Sequence, residues 1–434
     1  MDFKQLAKIE NESERVNRTY DIFNEDSRLN HSKAARVEFL TTVHYIEKYL
    51  KEGDKILDIG AGAGEYSLYF ARKGYEVSAL ELADANIAAF EKKLTPEDKI
   101  DLVQGNALDL SRYAAKSFDI VLLFGPLYHL KNDADKQKCI CEAKRVCKDG
   151  GKIFFAFISN DFVILTEFEY DVNYFSSDDY DKETFKLNDF PFVFHTVGAA
   201  RKLLADGGVN ILHEVASDGA SELLAAKINE MNDEDYAQYL RYHFYICEKP
   251  ELLGMTNHLL FVGEKMSKIQ RGNLTIRQAE VTDAKQLAAW WNDGAVMAHA
   301  GFPNGLGTTE EEVIAGLGKG RMVIEESNRL IGECNYRNVA DGVAEIGIKI
   351  CETDCQNRGV GRKVLSMLIS WLFKNRYSKI VLNTSLTNTR AQHVYESLGF
   401  CKVRTNIDSW KDQLDCLQSS VDYELVEKDF NSYI

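Results

Sequence analysis

The sequence predicts an α/β chain of two unlike domains, the first built on a mostly parallel sheet with helices on both faces. Three observations predict it. At 434 residues the chain exceeds one ordinary core, so two domains are the default. Residues 55–158 alternate short apolar runs with amphipathic stretches, which is the rhythm of βαβ units. After a short polar stretch with a glycine, "MSKIQRGN", that rhythm gives way to strands in direct succession and one long helix.

Taken in order, "KILDIG", "YEVSALEL", "KIDLVQGNA", "FDIVLLFG" and "GKIFFAFIS" read as strands, with "GEYSLYFARKG" and "DKQKCICEAKRVCKDGG" as helices between them. Residues 159–195, rich in Asp, Tyr and Phe, read as a lid-like elaboration over the sheet. "VGAARKLLADGGVNILHEVAS" returns to helix, turn and strand, and "NHLLFVGEK" is a last strand. This places a first domain at residues 1–265, a linker at 266–272 and a second domain at 273–434. In the second, "LTIRQAE" is a strand and "TDAKQLAAWWND" a helix. "RMVIEES", "LIGECNYRN" and "VAEIGIKI" follow as consecutive strands, then "GVGRKVLSMLISWLFKN" as a long helix. "KIVLNTS", "TRAQHVYESLG", "FCKVRT" and "SSVDYELVE" complete it, and no internal repeat is present.

No apolar stretch approaches the roughly 20 residues of a membrane span, and the amino terminus lacks a signal-peptide segment, so the expected location is cytoplasmic. The nine cysteines show no repeated metal-type spacing, which favours reduced thiols and no metal site. The net charge of −15 is uneven: residues 267–434 carry 20 Lys+Arg against 21 Asp+Glu, leaving 32 against 46 for residues 1–266. An acidic first half disfavours nucleic acid and favours a cationic or neutral partner; acidity for solubility alone is the plainer alternative.

"ILDIGAGAGEYS", residues 56–67, sets glycines at every second position after a strand. A dinucleotide turn of the form G-x-G-x-x-G counted from Gly60 and Gly62 would need a third glycine where Glu65 stands, and a carboxylate there repels a pyrophosphate. No G-x-x-x-x-G-K-[ST] occurs at this turn, which removes a nucleoside triphosphate. What stands is Asp58 before Gly60, Gly62 and Gly64, with Glu81 ending the next strand 17 residues on. A carboxylate and close-passing backbone suit the amino-acid tail of S-adenosyl-L-methionine (SAM), and Glu81 suits its ribose hydroxyls. Asn106 and Ala107 in "GNAL" are candidates for the adenine rim and face. His129, in "FGPLYHL" at a strand's carboxyl end, is either a group that orients or deprotonates an acceptor or a hydrogen-bonded structural residue.

These motifs resemble the class I SAM-dependent methyltransferases over about residues 20–265, including "YDIFNEDSRLN" and "LLGMTNHLLFVGEK". The resemblance implies a Rossmann-like domain, SAM as methyl donor and an acceptor that is mainly positioned rather than activated. Many members carry Asp where Asn106 stands. His31, His195 and the aromatic insertion are candidates for a substrate lid.

"QNRGVGR", residues 356–362, joins a strand to the long helix. Backbone N–H groups at the helix start, that of Val360 among the candidates, form an anion cradle to which Gly359 and Gly361 admit close approach, with Gln356, Arg358 and Arg362 adding donors and charge. With "NTRAQHVYESLGF" at 388–400, this resembles the Gcn5-related N-acetyltransferases (GNAT) over about residues 273–429. That resemblance implies an α+β domain with a mixed, splayed sheet and acetyl-CoA held by the loop. It places Asn388 near the pantetheine arm, Tyr395 as the acid for the departing thiolate and Glu345 as the base that takes the ammonium proton. For Tyr395 the plainer alternative is a core role, and for Glu345 a solvent-facing one. Trp290, Trp291, His299 and Phe302 are candidates for the acceptor groove.

The expectation is therefore a bifunctional group-transfer enzyme acting on an amine-bearing small molecule or cationic metabolite, without nucleic acid or membrane. A protein N-acetyltransferase with a separate or only cofactor-binding methyltransferase domain is the alternative.

Overall fold

The structure, a computed structural model, describes all residues except 1–5, 7, 24, 190, 266, 267, 318, 319, 341 and 376. The chain divides into two compact units, one of Met1–Leu204 and Ile211–Lys265, the other of Ala205–Asn210 and Met266–Ile434. Met266 and Ser267, the first residues of the expected linker, lie outside the described residues.

The first unit begins with α1 (Glu12–Tyr20), capped by the Asn11 side chain, and α2 (Arg36–Glu47). Then come β1 (Lys55–Ile59), α3 (Glu65–Arg72), β2 (Glu76–Glu81), α4 (Asp84–Glu91), β3 (Ile100–Gln104) and β4 (Phe118–Leu123). They are followed by α5 (Asp133–Val146), β5 (Cys147–Ser159), α6 (Asn160–Tyr170), the two-residue β6 (Phe194–His195), α7 (Val197–Asp206) and β7 (Val209–Ala216). The unit ends with α8 (Ala225–Glu230), α9 (Asp233–Ile246) and β8 (His258–Lys265). Strand order is β3-β2-β1-β4-β5-β8-β7, with β6 on β5. The pairs β2–β3, β1–β2, β1–β4 and β4–β5 are parallel; β8 returns antiparallel to β5.

Ile120, Val121, Leu122 and Leu123 are each at most 1% exposed. Successive strand residues point to opposite faces, so both faces of β4 are covered, as a parallel sheet requires. On one of them α2 and α3 bring Phe39, Ile46, Tyr66 and Phe70 against Ile56, Val77, Ile120 and Phe154. The strand order reverses direction between β1 and β4, and at such a switch point a crevice opens beyond the strands' carboxyl ends.

The second unit starts with β9 (Ile269–Arg271), an edge strand antiparallel to β10 (Leu274–Gln278), so part of the stretch expected as linker belongs to a sheet. α10 (Ala284–Asn292), α11 (Gly294–Met297) and α12 (Glu310–Ala315) precede β11 (Arg321–Glu326), β12 (Arg329–Ala340) and β13 (Val343–Ile350). α13 (Val360–Lys374), β14 (Lys379–Ser385), α14 (Thr389–Ser397), β15 (Cys401–Lys411) and β16 (Leu417–Val426) complete it. The order is β15-β16-β14-β13-β12-β11-β10-β9. Val364, Leu365, Leu368, Ile369 and Leu372 of α13 recur at helical spacing and pack on Ile276, Ile324, Ala344, Ile380 and Tyr423.

One join in this sheet is parallel, β13 with β14, and it is short. Only Val343, Ala344 and Glu345 pair, with Lys379, Ile380 and Val381. Beyond Glu345 the two strands have no register, and the sheet splays.

Candidate functional site

In the first unit the turn after β1 is built by three glycines with φ of 78°, 55° and 84° at Gly60, Gly62 and Gly64. Gly64 is needed for packing: a Cβ there would lie 2.4 Å from the Phe90 ring. Gly62 serves the cavity. Its N–H donates to Glu81 Oε2 at 2.7 Å, and it lines a slot of about 70 Å³ together with Gly60, Glu81, Asn106, Ala107 and His129.

Glu81 is 4% exposed. Its other oxygen accepts the N–H groups of Leu82 (2.9 Å) and Ala83 (2.8 Å). Burial raises its pKa, and those N–H donors oppose the rise. Asp58 does not reach the slot. It lies buried beneath the turn with Oδ2 accepting from Ser67 Oγ at 2.7 Å and Oδ1 unpartnered, and burial pushes its pKa up to about 7. Asn106 Oδ1 accepts from Leu108 N–H, and its Nδ2 donates to Ser13 Oγ at 3.0 Å.

Ser13 belongs to α1, which the sequence reading did not single out. This helix lies over the slot and contributes Glu12, Ser13, Val16 and Tyr20 to its wall. Tyr20 Oη is hydrogen-bonded to His129 Nε2 at 2.9 Å. Burial, and secondarily Arg15, depress the His129 pKa to about 3, so the imidazole is neutral throughout the ordinary range. A group this weakly basic holds Tyr20 in place rather than collecting a proton.

Of the candidate lid residues, His31 lines a larger neighbouring cavity with Tyr170, Tyr174 and Phe192 of the insertion. His195 does not; it is 6% exposed with Nδ1 unpartnered, and burial lowers its pKa to about 4.

In the second unit the splay opens a cleft of about 840 Å³ between the diverging ends of β13 (Ile346–Ile350) and β14 (Asn383–Ser385). Gly359, at φ 77°, caps α13, and Val360 is its first helical residue. Gln356 and Gly361 are on the cleft wall, with the Gln356 amide tied to Ile350 O at 2.9 Å. The two arginines are engaged elsewhere. Arg358 is paired with Glu326 at 3.1 Å, and the Arg362 guanidinium sits 4.7 Å over the Tyr433 ring. Asn388 lines the cleft and caps α14, accepting from Ala391 N–H at 3.1 Å.

Tyr395, on α14, lines the cleft at 8% exposure between the rings of Phe400 and Tyr423. Burial pushes its pKa up to about 12, so it stays a phenol and its proton is available to a basic group. Among the described residues its hydroxyl has no hydrogen-bond partner.

The structure corrects the expectation for Glu345. It sits in the last paired position before the splay, its carboxylate is bound by Arg337, and the cleft wall begins one residue later. The carboxylate on the wall is Glu333 of β12. It is 6% exposed and accepts from Lys349 Nζ at 2.8 Å and Trp291 Nε1 at 3.0 Å. The signal for it was present, a Glu inside the otherwise apolar run "LIGEC". Of the aromatic and histidine candidates only His299 lines the cleft, joined by Trp410; Trp290 is buried with Nε1 on Glu352.

Comparison with known proteins finds one family match within each unit. Residues 57–155 match the family model described as "Methyltransferase domain", and residues 273–401 match "Acetyltransferase (GNAT) domain". A demethylmenaquinone methyltransferase of Clavibacter sepedonicus is 32% identical over 121 residues, 28% of this chain and 47% of that protein. A ubiquinone/menaquinone biosynthesis C-methyltransferase of Haemophilus ducreyi is 34% identical over 111 residues, 24% of this chain and 41% of that protein. The chain thus spans less than half the length of these two curated relatives. A solved GNAT-family acetyltransferase from Bacillus anthracis aligns with 37% of this chain and 99% of its own, at 19% identity and a TM-score of 0.34. The chain joins a methyltransferase domain to an acetyltransferase domain of the GNAT family.

Proposed function

We propose that the protein is a bifunctional enzyme that transfers a methyl group from SAM and an acetyl group from acetyl-CoA to amine-bearing small molecules. One observation carries this reading: each unit sets its glycine-rich turn and a responding polar side chain, Glu81 or Tyr395, on the wall of one cavity.

SAM supplies an electrophilic methyl group with a good leaving group. The chain's part is to hold it and exclude water. Glu81 would take the ribose hydroxyls, the turn backbone at Gly60 and Gly62 would face the amino-acid tail, and Asn106 and Ala107 would flank the base. The residues fit this use: Glu81 is buried on the slot wall, and among the described residues its Oε2 accepts from Gly62 N–H alone, which leaves that oxygen a further lone pair for a hydroxyl. Asp58, under the turn, keeps one oxygen unpartnered and stabilises positive charge above it once ionised.

Acetyl-CoA supplies a thioester. Gln356, Gly359, Val360 and Gly361 would hold its pyrophosphate at the start of α13, and Asn388 would face the pantetheine arm. Glu333, held by Lys349 and Trp291, would relay the proton of the incoming ammonium, directly or through water, and Tyr395 would give its proton to the departing sulfur.

The test is mass spectrometry of a metabolite extract treated with isotope-labelled SAM and acetyl-CoA. Wild type should label amines with both groups. Glu81→Ala should abolish methyl labelling and spare acetyl labelling, and Tyr395→Phe should lower acetyl labelling by about 10²-fold while sparing methyl labelling. Label appearing on polypeptides instead of metabolites would overturn the small-molecule assignment.

A further inference from the structure

Beside the slot of the first unit lies a cavity of about 850 Å³ that shares Tyr20, Glu25 and Tyr128 with it. Its walls come from the segment 20–38, from the insertion after β5, and from residues 218–225 with Asn257 and His258. Two properties of this wall point to the same kind of ligand.

The first is charge. Near the shared residues the carboxylates are matched by cations. Arg28 binds Glu25 at 2.8 Å and Glu38 at 2.7 Å, and His258 Nδ1 lies 3.2 Å from Glu38 and 3.4 Å from Asp218. Burial works against the His258 proton, but Glu38 and Asp218 prevail and raise its pKa. Glu38, Asp218 and His258 also stand close enough for a metal ion, but Arg28 and this proton already occupy their charge. Elsewhere on the wall, Glu167, Asp179 and Glu222 have no ion-pair partner among the described residues. Glu222 accepts hydrogen bonds from Tyr170 Oη at 2.8 Å and from Asn257. Partial burial, followed by the charges of Glu222 and Asp179, holds the Glu167 carboxyl above its ordinary range.

The second is the aromatic lining. Tyr170, Tyr174, Phe192 and Phe194 come from the same insertion as Glu167 and Asp179. Aromatic faces attract organic cations, most strongly where water is partly excluded. An anionic acceptor would meet three uncompensated carboxylates here, whereas an ammonium group relieves their mutual repulsion.

We propose that this cavity is the acceptor pocket of the methyltransferase unit and that it takes an acceptor carrying an ammonium group. Glu167, Asp179 and Glu222 hold that ammonium, and the reacting end of the acceptor lies at the wall of Tyr20, Glu25 and Tyr128 shared with the slot. The inference rests on the methyltransferase reading above and adds the site and the charge of its ligand.

The test is calorimetry on the full chain saturated with S-adenosylhomocysteine. The probe is 1,4-diaminobutane, with 1,4-butanediol and succinate as neutral and anionic controls of matching length. The diamine should bind and both controls should fail to. The double variant Glu167→Gln/Asp179→Asn, both side chains exposed at the cavity rim, should weaken diamine binding by about tenfold, leaving the affinity for S-adenosylhomocysteine unchanged. Equal diamine binding by the variant, or binding of diol or succinate as tight as that of the diamine, overturns the inference. Failure of S-adenosylhomocysteine itself to bind overturns the methyltransferase reading. Cofactor binding without any diamine response overturns the acceptor assignment alone.

Discussion

Single residues carry most of the chemistry, and Asp58 shows what a buried one costs. Its native pKa of about 7 lies above the ordinary carboxylate value of about 3.9. Between those pH values the folded chain keeps a proton that the unfolded chain has lost. Stability therefore falls as pH rises through this window, by about 1.4 kcal/mol per pH unit from this group. Above about pH 7 the full cost is present. Asp58→Asn cannot ionise, so its stability relative to wild type should improve steadily from pH 4.5 to pH 7, as followed by urea unfolding. A constant difference across that range would show that the Asp58 carboxyl is not shifted. The place of Glu81 on the slot wall follows from its spacing after the glycine turn, whereas Asp58, expected at the cofactor, lies beneath the turn and off that wall. The carboxylate of the second cleft was not legible. Glu333 lies opposite Lys349 and Glu345 opposite Arg337 on neighbouring strands, and which pair faces open space depends on where β13 and β14 part. That point is set by tertiary pairing, not by local pattern.

Among elements, α1 changes the reading most. Its buried residues are Arg15, Val16 and Thr19, so it offers no apolar stripe from which a helix would be predicted. It is held over the slot by polar contacts: Asn106 to Ser13, Tyr20 to His129, Asn17 to Asp84, and Lys131 N–H to Glu12. The slot beneath it measures about 70 Å³, whereas small-molecule pockets usually span roughly 300–1,000 Å³. A nucleoside-sized cofactor needs more room than that, and the expectation is that α1, tied by side-chain contacts, supplies it by moving. Tyr20→Phe removes one of its ties without removing the ring. Stopped-flow measurement should show faster association and dissociation of S-adenosylhomocysteine by several-fold, with a smaller change in equilibrium affinity. Unchanged rates would mean that α1 does not gate entry. Most strands, by contrast, were legible, since central ones such as β4 are largely apolar runs and those of the second unit alternate or end at glycine turns, but the two-residue β6 lay hidden in the stretch expected as a lid. β9 was hidden by its length, three residues of mixed polarity that only pairing with β10 makes a strand.

At the scale of the whole molecule the uneven charge becomes a mechanism. The excess of acidic over basic residues is 14 in residues 1–266 and 1 in residues 267–434. A field of one sign raises the local concentration of opposite charge and is screened over about 10 Å at 0.1 M salt. A cationic acceptor should thus be drawn to the methyltransferase unit electrostatically, and to the acetyltransferase unit much less, because Glu333 in its cleft is already neutralised by Lys349. The prediction concerns any amine that the labelling experiment finds to receive both groups. Between about 0.05 and 0.5 M sodium chloride its KM for methyl transfer should rise several-fold, while its KM for acetyl transfer should change less than about twofold. Potassium sulfate at equal ionic strength should act alike, which separates screening from a specific ion effect. An equal response of the two reactions would mean that the acidic half serves solubility alone. A steep response confined to acetyl transfer would place the acceptor's cationic recognition in the other unit.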